Sequence, residues 1–109
     1  MAKTDIFGPT RIDLGQSPLA PMKFVDWWWG PWETEFYGGV FTFNAYPSTV
    51  QPDGGSRLAK MWVAATSIEL QPGGKGDISY DVLWVSARFF NSGPSAVRFF
   101  SVYISVVRN

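Results

Sequence analysis

The chain of 109 residues balances nine basic against nine acidic side chains, contains neither cysteine nor histidine, and is 17% aromatic. These absences exclude disulfides, thiolate nucleophiles, iron–sulfur and cysteine zinc sites, histidine-based triads and imidazole ligands, so the sequence reads as non-enzymatic and free of a resident cofactor. Zero net charge provides no field of one sign to gather a polyanion or an anionic membrane, and neither nucleic acid nor membrane is an expected partner.

The length suits a single domain spanning 1–109, with an expected radius of gyration of about 13 Å. No stretch approaches the roughly 20 apolar residues of a membrane helix, and residues 1–5 carry no signal-peptide run. The chain is expected to be soluble, with its compartment unassigned.

Residues 1–21 read as an extended N-terminal segment. Within it, 5–14 supplies a candidate edge strand, and 16–21, with Pro18 and Pro21, a non-helical linker. Residues 22–29 and 33–44 read as strands separated by Gly30-Pro31, and Gly38-Gly39 marks a bulge or bend. Residues 45–57 form a long loop with Pro47, Pro52 and Gly54-Gly55. Such loops are disproportionately functional.

The remaining chain reads as a meander of three strands, 58–70, 77–91 and 96–108, rich in β-branched and aromatic residues and joined by turns at 71–76 and 92–95. In the last strand Phe100, Val102, Ile104 and Val106 share one face, which should be core. The other face, with Val97, Phe99, Ser101, Tyr103, Ser105 and Val107, is mixed. The middle strand sets Leu83, Val85, Ala87 and Phe89 against Tyr80, Val82, Trp84 and Phe90. Strands apolar on both faces call for a second sheet on one side and a further cover on the other, whether a subunit, the N-terminal segment or a ligand. Five or six short strands without a helical segment predict an all-β, antiparallel β-sandwich of jelly-roll or immunoglobulin-like type, with a small barrel as the runner-up. About the last forty residues have a loose immunoglobulin-like character, but the Cys-Trp-Cys pattern of that family is missing.

The chemistry concentrates in Asp26-Trp27-Trp28-Trp29-Gly30-Pro31-Trp32-Glu33. Strand alternation points Trp27 and Trp29 one way, and Trp28 the other beside Asp26. Some of these indoles can fill the core, and those left at the surface beside carboxylates suit a sugar, which offers apolar C–H faces to indoles and hydroxyls to acids and amides. The candidate ligand residues are Asp26, Trp28, Trp32, Glu33, Glu35, Tyr37, Asn44 and Tyr46, forming a lectin-like site for a glycan or other small polar ligand. The alternative is a self-assembling structural subunit, a homo-oligomer, particle or fibre component, with aromatic β faces at Phe99, Tyr103, Trp84 and Tyr80 as interfaces.

Other patterns have plainer explanations. Glu33 and Glu35 would share one strand face, whereas a glycosidase pair stands across a cleft. Asp53, Asp77 and Asp81 lack calcium-loop spacing and suit turns or strand starts, so no metal site is expected. Residues 73–76 lack the order of a phosphate loop and lead into a strand. Residues 36–41 lack the basic lead of an RNA-binding aromatic strand. Arg57, Lys60, Arg88, Arg98 and Arg108 are scattered surface charges, with Arg88 placed to stack on Trp84 or Phe90.

Overall fold

A computed structural model describes residues 2–47, 59–75 and 78–109, with side-chain surroundings for these except at 74–80. Its strands are β1 (Lys3–Asp13), β2 (Phe24–Trp32), β3 (Val40–Pro47), β4 (Met61–Lys75), β5 (Ile78–Asn91) and β6 (Phe99–Arg108). A short 3-10 turn, Thr34–Phe36, precedes β3. The strands form two antiparallel sheets ordered β1-β6-β3 and β2-β5-β4, packed face to face without closing into a barrel. The chain alternates between sheets from β1 to β4, and the β1–β6 pair nests around the β2–β5 pair. That winding is a six-stranded jelly roll, not the immunoglobulin order.

The core lies where the two-residue period puts it. Leu83, Val85, Ala87 and Phe89 of β5 face Phe100, Val102, Ile104 and Val106 of β6, and all are buried, together with Ile12, Phe36, Phe43 and Val97. Phe89 and Phe100 meet across the layers at 5.2 Å between ring centroids. Burying such rings and branched side chains supplies the main driving force for folding.

Four departures from the sequence reading have physical causes. First, β2 does not stop at Gly30-Pro31. The two residues slip out as a bulge opposite Trp84, and pairing resumes with Trp32 against Leu83. A Cβ on Gly30 would lie 2.7 Å from the Trp84 ring, so only glycine lets that indole lie against the backbone here. Second, residues 33–39 are not strand. Buried Phe36 pulls the chain into the 3-10 turn, and Gly38, at φ 80°, reverses it into β3.

Third, 16–21 is not a free linker. Leu19 is buried and bridges Val97, while buried Asn91 donates from Nδ2 to the carbonyls of Leu19 (2.9 Å) and Ser95 (2.8 Å), and its Oδ1 accepts from the Gly93 N–H (3.0 Å). One satisfied side chain thus pins two loops to the end of β5. Fourth, the expected 71–76 loop is largely strand, because β4 runs to Lys75 and an edge strand tolerates Pro72. Of the loop expected over 45–57, residues 45–47 belong to β3 and the rest lies outside the described residues.

The long β4–β5 hairpin also explains the shape. Its strands of 15 and 14 residues oppose strands of 8 to 11, stretching the molecule to 54 × 35 × 19 Å. The radius of gyration is accordingly 16.4 Å, above the expected compact value. Beyond its bulge between Val63 and Ala65, β4 passes outside the cover of the other sheet. Ile68 and Leu70, on the core side by register with Val85 and Leu83, remain 59% and 57% exposed.

Candidate ligand-binding face

The register of β2, β5 and β4 builds the outer face of their sheet in rows. Phe24, Phe90 and Trp62 lie abreast, then Asp26, Arg88 and Ala65, then Trp28, Ser86 and Ser67, then Trp84 and Glu69. Small residues in the middle rows leave a hollow of about 380 Å³ between aromatic rows, lined by Asp26, Trp28, Ala65, Ser67, Ser86 and Arg88. That size falls within the range of small-ligand sites.

Each polar group in the hollow is held in place. Arg88 donates from Nε to Asp26 Oδ1 at 2.8 Å and from Nη2 to Oδ2 at 3.0 Å, a fork-on-fork pair. Its guanidinium lies 3.8 Å from the centroid of Phe24. The stacking partner is therefore this cross-strand ring, not Trp84 or Phe90, because Phe24 sits diagonally opposite on the neighbouring strand. The Arg88 hydrogen bond holds the Asp26 carboxyl below the usual carboxylate range, and the same bond raises Arg88. The Ser67 and Ser86 hydroxyls bond to each other at 2.7 Å on the floor. Trp28 stands as the wall, 53% exposed. The hollow combines an apolar plane with fixed donors and acceptors whose charges cancel.

The candidate ligand residues fall in four places, not one. Asp26 and Trp28 share the hollow. Trp32 is half-buried: the bulge turns it inward against the core, where it meets Phe7, Phe36 and Phe41 at 5.1, 5.5 and 5.0 Å and donates from Nε1 to the Trp29 carbonyl at 3.0 Å, while its remaining surface lines a shallow cleft. Glu33 and Tyr37 share that cleft with Trp32, beside Asp81, whose carbonyl accepts the Tyr37 hydroxyl at 2.7 Å. Glu35 is on the 3-10 turn, 3.4 Å from Arg108 Nη2, so it shares no strand face with Glu33. The same arginine donates from Nε to Asp5 Oδ2 at 2.9 Å.

Asn44 and Tyr46 lie on the other side of the molecule, because β2 and β3 belong to different sheets. There they line a trough of about 590 Å³ with Ser101, Tyr103 and Ser105, and the Tyr46 and Tyr103 rings meet edge to face at 5.7 Å. Of the residues expected at an interface, Tyr103 thus joins a concave surface of mixed character, with Ile6 and Pro9 beside the tyrosines and serines. Phe99 is flanked by the guanidinium groups of Arg11 at 4.4 Å and Arg98 at 4.8 Å. Trp84 packs over Gly30, and the Tyr80 side chain lies outside the described surroundings.

Arg88 and the Ser67–Ser86 floor were not singled out as site residues from the sequence. The hairpin held the signal: counting back from the Lys75–Ile78 pair places Ser67 opposite Ser86 and Ala65 opposite Arg88, before the bulge is reached. Among the described residues no cluster of three or more acidic side chains could hold a metal ion, and Asp53 and Asp77 lie outside them. No helix among them is long and apolar enough to cross a membrane. No family model, curated protein or solved structure matches the chain.

Proposed function

We propose that the chain is a non-catalytic binding module that takes a carbohydrate on the outer face of the β2-β5-β4 sheet. The observation that carries this reading is the exposed Trp28 indole standing beside the Asp26–Arg88 fork over a floor of serine hydroxyls. An indole plane receives the C–H face of a pyranose, while the carboxylate accepts and the guanidinium and serines donate to its hydroxyls. The fork keeps those groups from collapsing onto each other in new geometries when the ligand leaves, which lowers the ordering cost of binding.

A hydrolytic role has less support. Asp26, the one carboxylate lining the hollow, is neutralised by Arg88, and Glu35 is drawn to Arg108 elsewhere. Assembly through the aromatic face at Phe99 also has less support, since two guanidinium groups flank that ring.

A glycan-array screen followed by calorimetry on the leading sugar tests the proposal. Trp28→Ala should abolish binding with the melting temperature nearly unchanged. The trough at Asn44, Tyr46 and Tyr103 offers similar chemistry on the opposite face. Binding lost in Tyr46→Ala but retained in Trp28→Ala would move the site there. The absence of any glycan ligand would reject the reading.

A further inference from the structure

The edge of β4 carries little protection against pairing between its bulge and Pro72. It is the outermost strand of its sheet, and among the described residues nothing pairs with its far side. Edge strands are commonly guarded by charged side chains, especially lysines, and by prolines, bulges or inward charges. Between the bulge at Val63/Ala65 and Pro72, this edge reads Ala65-Thr66-Ser67-Ile68-Glu69-Leu70-Gln71, with Glu69 its one charge.

Pro72 fixes which residues offer their main chain outward. A proline within an edge strand has its missing N–H on the solvent side. Main-chain groups of alternate residues point the same way, so Thr66, Ile68 and Leu70 direct both N–H and C=O away from β5. These same residues carry their side chains on the uncovered core side of the sheet, where Ile68 and Leu70 are exposed. Among the described residues, one short segment therefore lacks a partner both along its edge and over its inner face.

We propose that the partner is a second copy of this chain, joined through β4 in an antiparallel two-fold pairing centred on Ile68. The dyad sets Ile68 opposite Ile68 and Thr66 opposite Leu70, three hydrogen-bonded pairs that exchange six main-chain bonds. That number lies within the range of about 5 to 15 found at stable protein interfaces. On the outer face, Glu69 lies opposite the Ser67 hydroxyl instead of a second carboxylate, whereas a dyad at Glu69 would oppose two like charges. The zero net charge of the chain adds no long-range repulsion. The two three-stranded sheets merge into one of six strands, and the four Ile68 and Leu70 side chains gather into a shared apolar strip between the sandwiches. The contact is isologous and closes at two copies. This inference uses neither the Trp28 hollow nor the Tyr103 trough and stands or falls apart from the carbohydrate reading.

Sedimentation velocity over a concentration series tests it, with circular dichroism to verify folding. The wild-type chain should form a dimer. Ile68→Lys, a change at an exposed position, should weaken that dimer by roughly tenfold or more while the fold is retained. Because the chain has no cysteine, single-cysteine variants give a second readout. Ile68→Cys places two thiols across the dyad at a Cα separation of about 5.5 Å, within disulfide reach, and should cross-link on mild oxidation. Thr66→Cys leaves its thiols about 14 Å apart along the strand and should not. A wild-type chain that stays monomeric, a folded Ile68→Lys variant that still dimerises, or equal cross-linking of the two cysteine variants would overturn the proposal.

Discussion

The tryptophans of β2 come in two kinds, although they lie within one strand. Trp29 and Trp32 turn inward, where Trp29 meets Phe43 at 5.3 Å and Phe89 at 6.0 Å, and Trp32 meets Phe7, Phe36 and Phe41. Trp28 turns outward over the serine floor. Trp27 lies on the inner side by its register with buried Ala87, yet it remains partly exposed at the rim. Residue type therefore says little about the role of an indole here. Strand parity decides it, and the Gly30-Pro31 bulge resets that parity between Trp29 and Trp32.

Four measurements would break or sharpen this contrast. The largest effect is expected from Trp32→Ala, which removes a ring packed against three others and should cost about 3 kcal/mol or more in denaturant unfolding. A loss below about 1 kcal/mol would place Trp32 with Trp28 and dissolve the distinction. Gly30→Ala should come next, at about 2 kcal/mol, because its Cβ meets the Trp84 ring at 2.7 Å and the Leu83 carbonyl at 2.9 Å. Full stability in that variant would show that the bulge does not need glycine.

Trp28→Ala should change stability by no more than about 0.5 kcal/mol, the usual range for a surface site, while removing ligand binding. Calorimetric unfolding beside a binding titration reads both quantities at once. The smallest effect concerns pH. Asp26 has a folded-state pKa below its unfolded value because Arg88 donates to it. The pair's contribution to stability is thus fully present above the ordinary carboxylate range and is lost as pH falls through the lowered value. The pair is solvent-exposed, so the stability step should be slight and diminished by salt. Asp26→Asn should erase it. A stability or binding step between pH 5 and pH 7 that depends on Asp26 would contradict the assigned direction.

Much of the fold was legible in the residues themselves. The alternation along 77–91 and 96–108 identifies both core faces, since a strand with one buried side must place its apolar residues two apart. The region 26–46 was less legible. Asp26 and Asn44 are near in sequence but belong to opposite sheets, so a patch drawn along the chain is divided by the thickness of the sandwich. The stretch 33–39 misled because its aromatic and glycine content suits a bent strand, while burial of Phe36 and the close packing at Gly39 favour a turn. Asn91 is a further case: its bonds to Gly93 and Ser95 are local turn chemistry, but its bond to the Leu19 carbonyl spans 72 positions and is set only by the fold.

The sequence by itself determined an all-β, cysteine-free chain with a two-residue apolar period, because side-chain alternation and turn chemistry act over a few neighbouring residues. The tertiary structure alone decided that Arg88 meets Asp26, that Trp32 packs inward against the core and that Ile68 and Leu70 stay exposed. Each of these outcomes depends on register, a bulge or unequal strand lengths, which are fixed only when strands distant in sequence pair and two sheets of different reach close on one another.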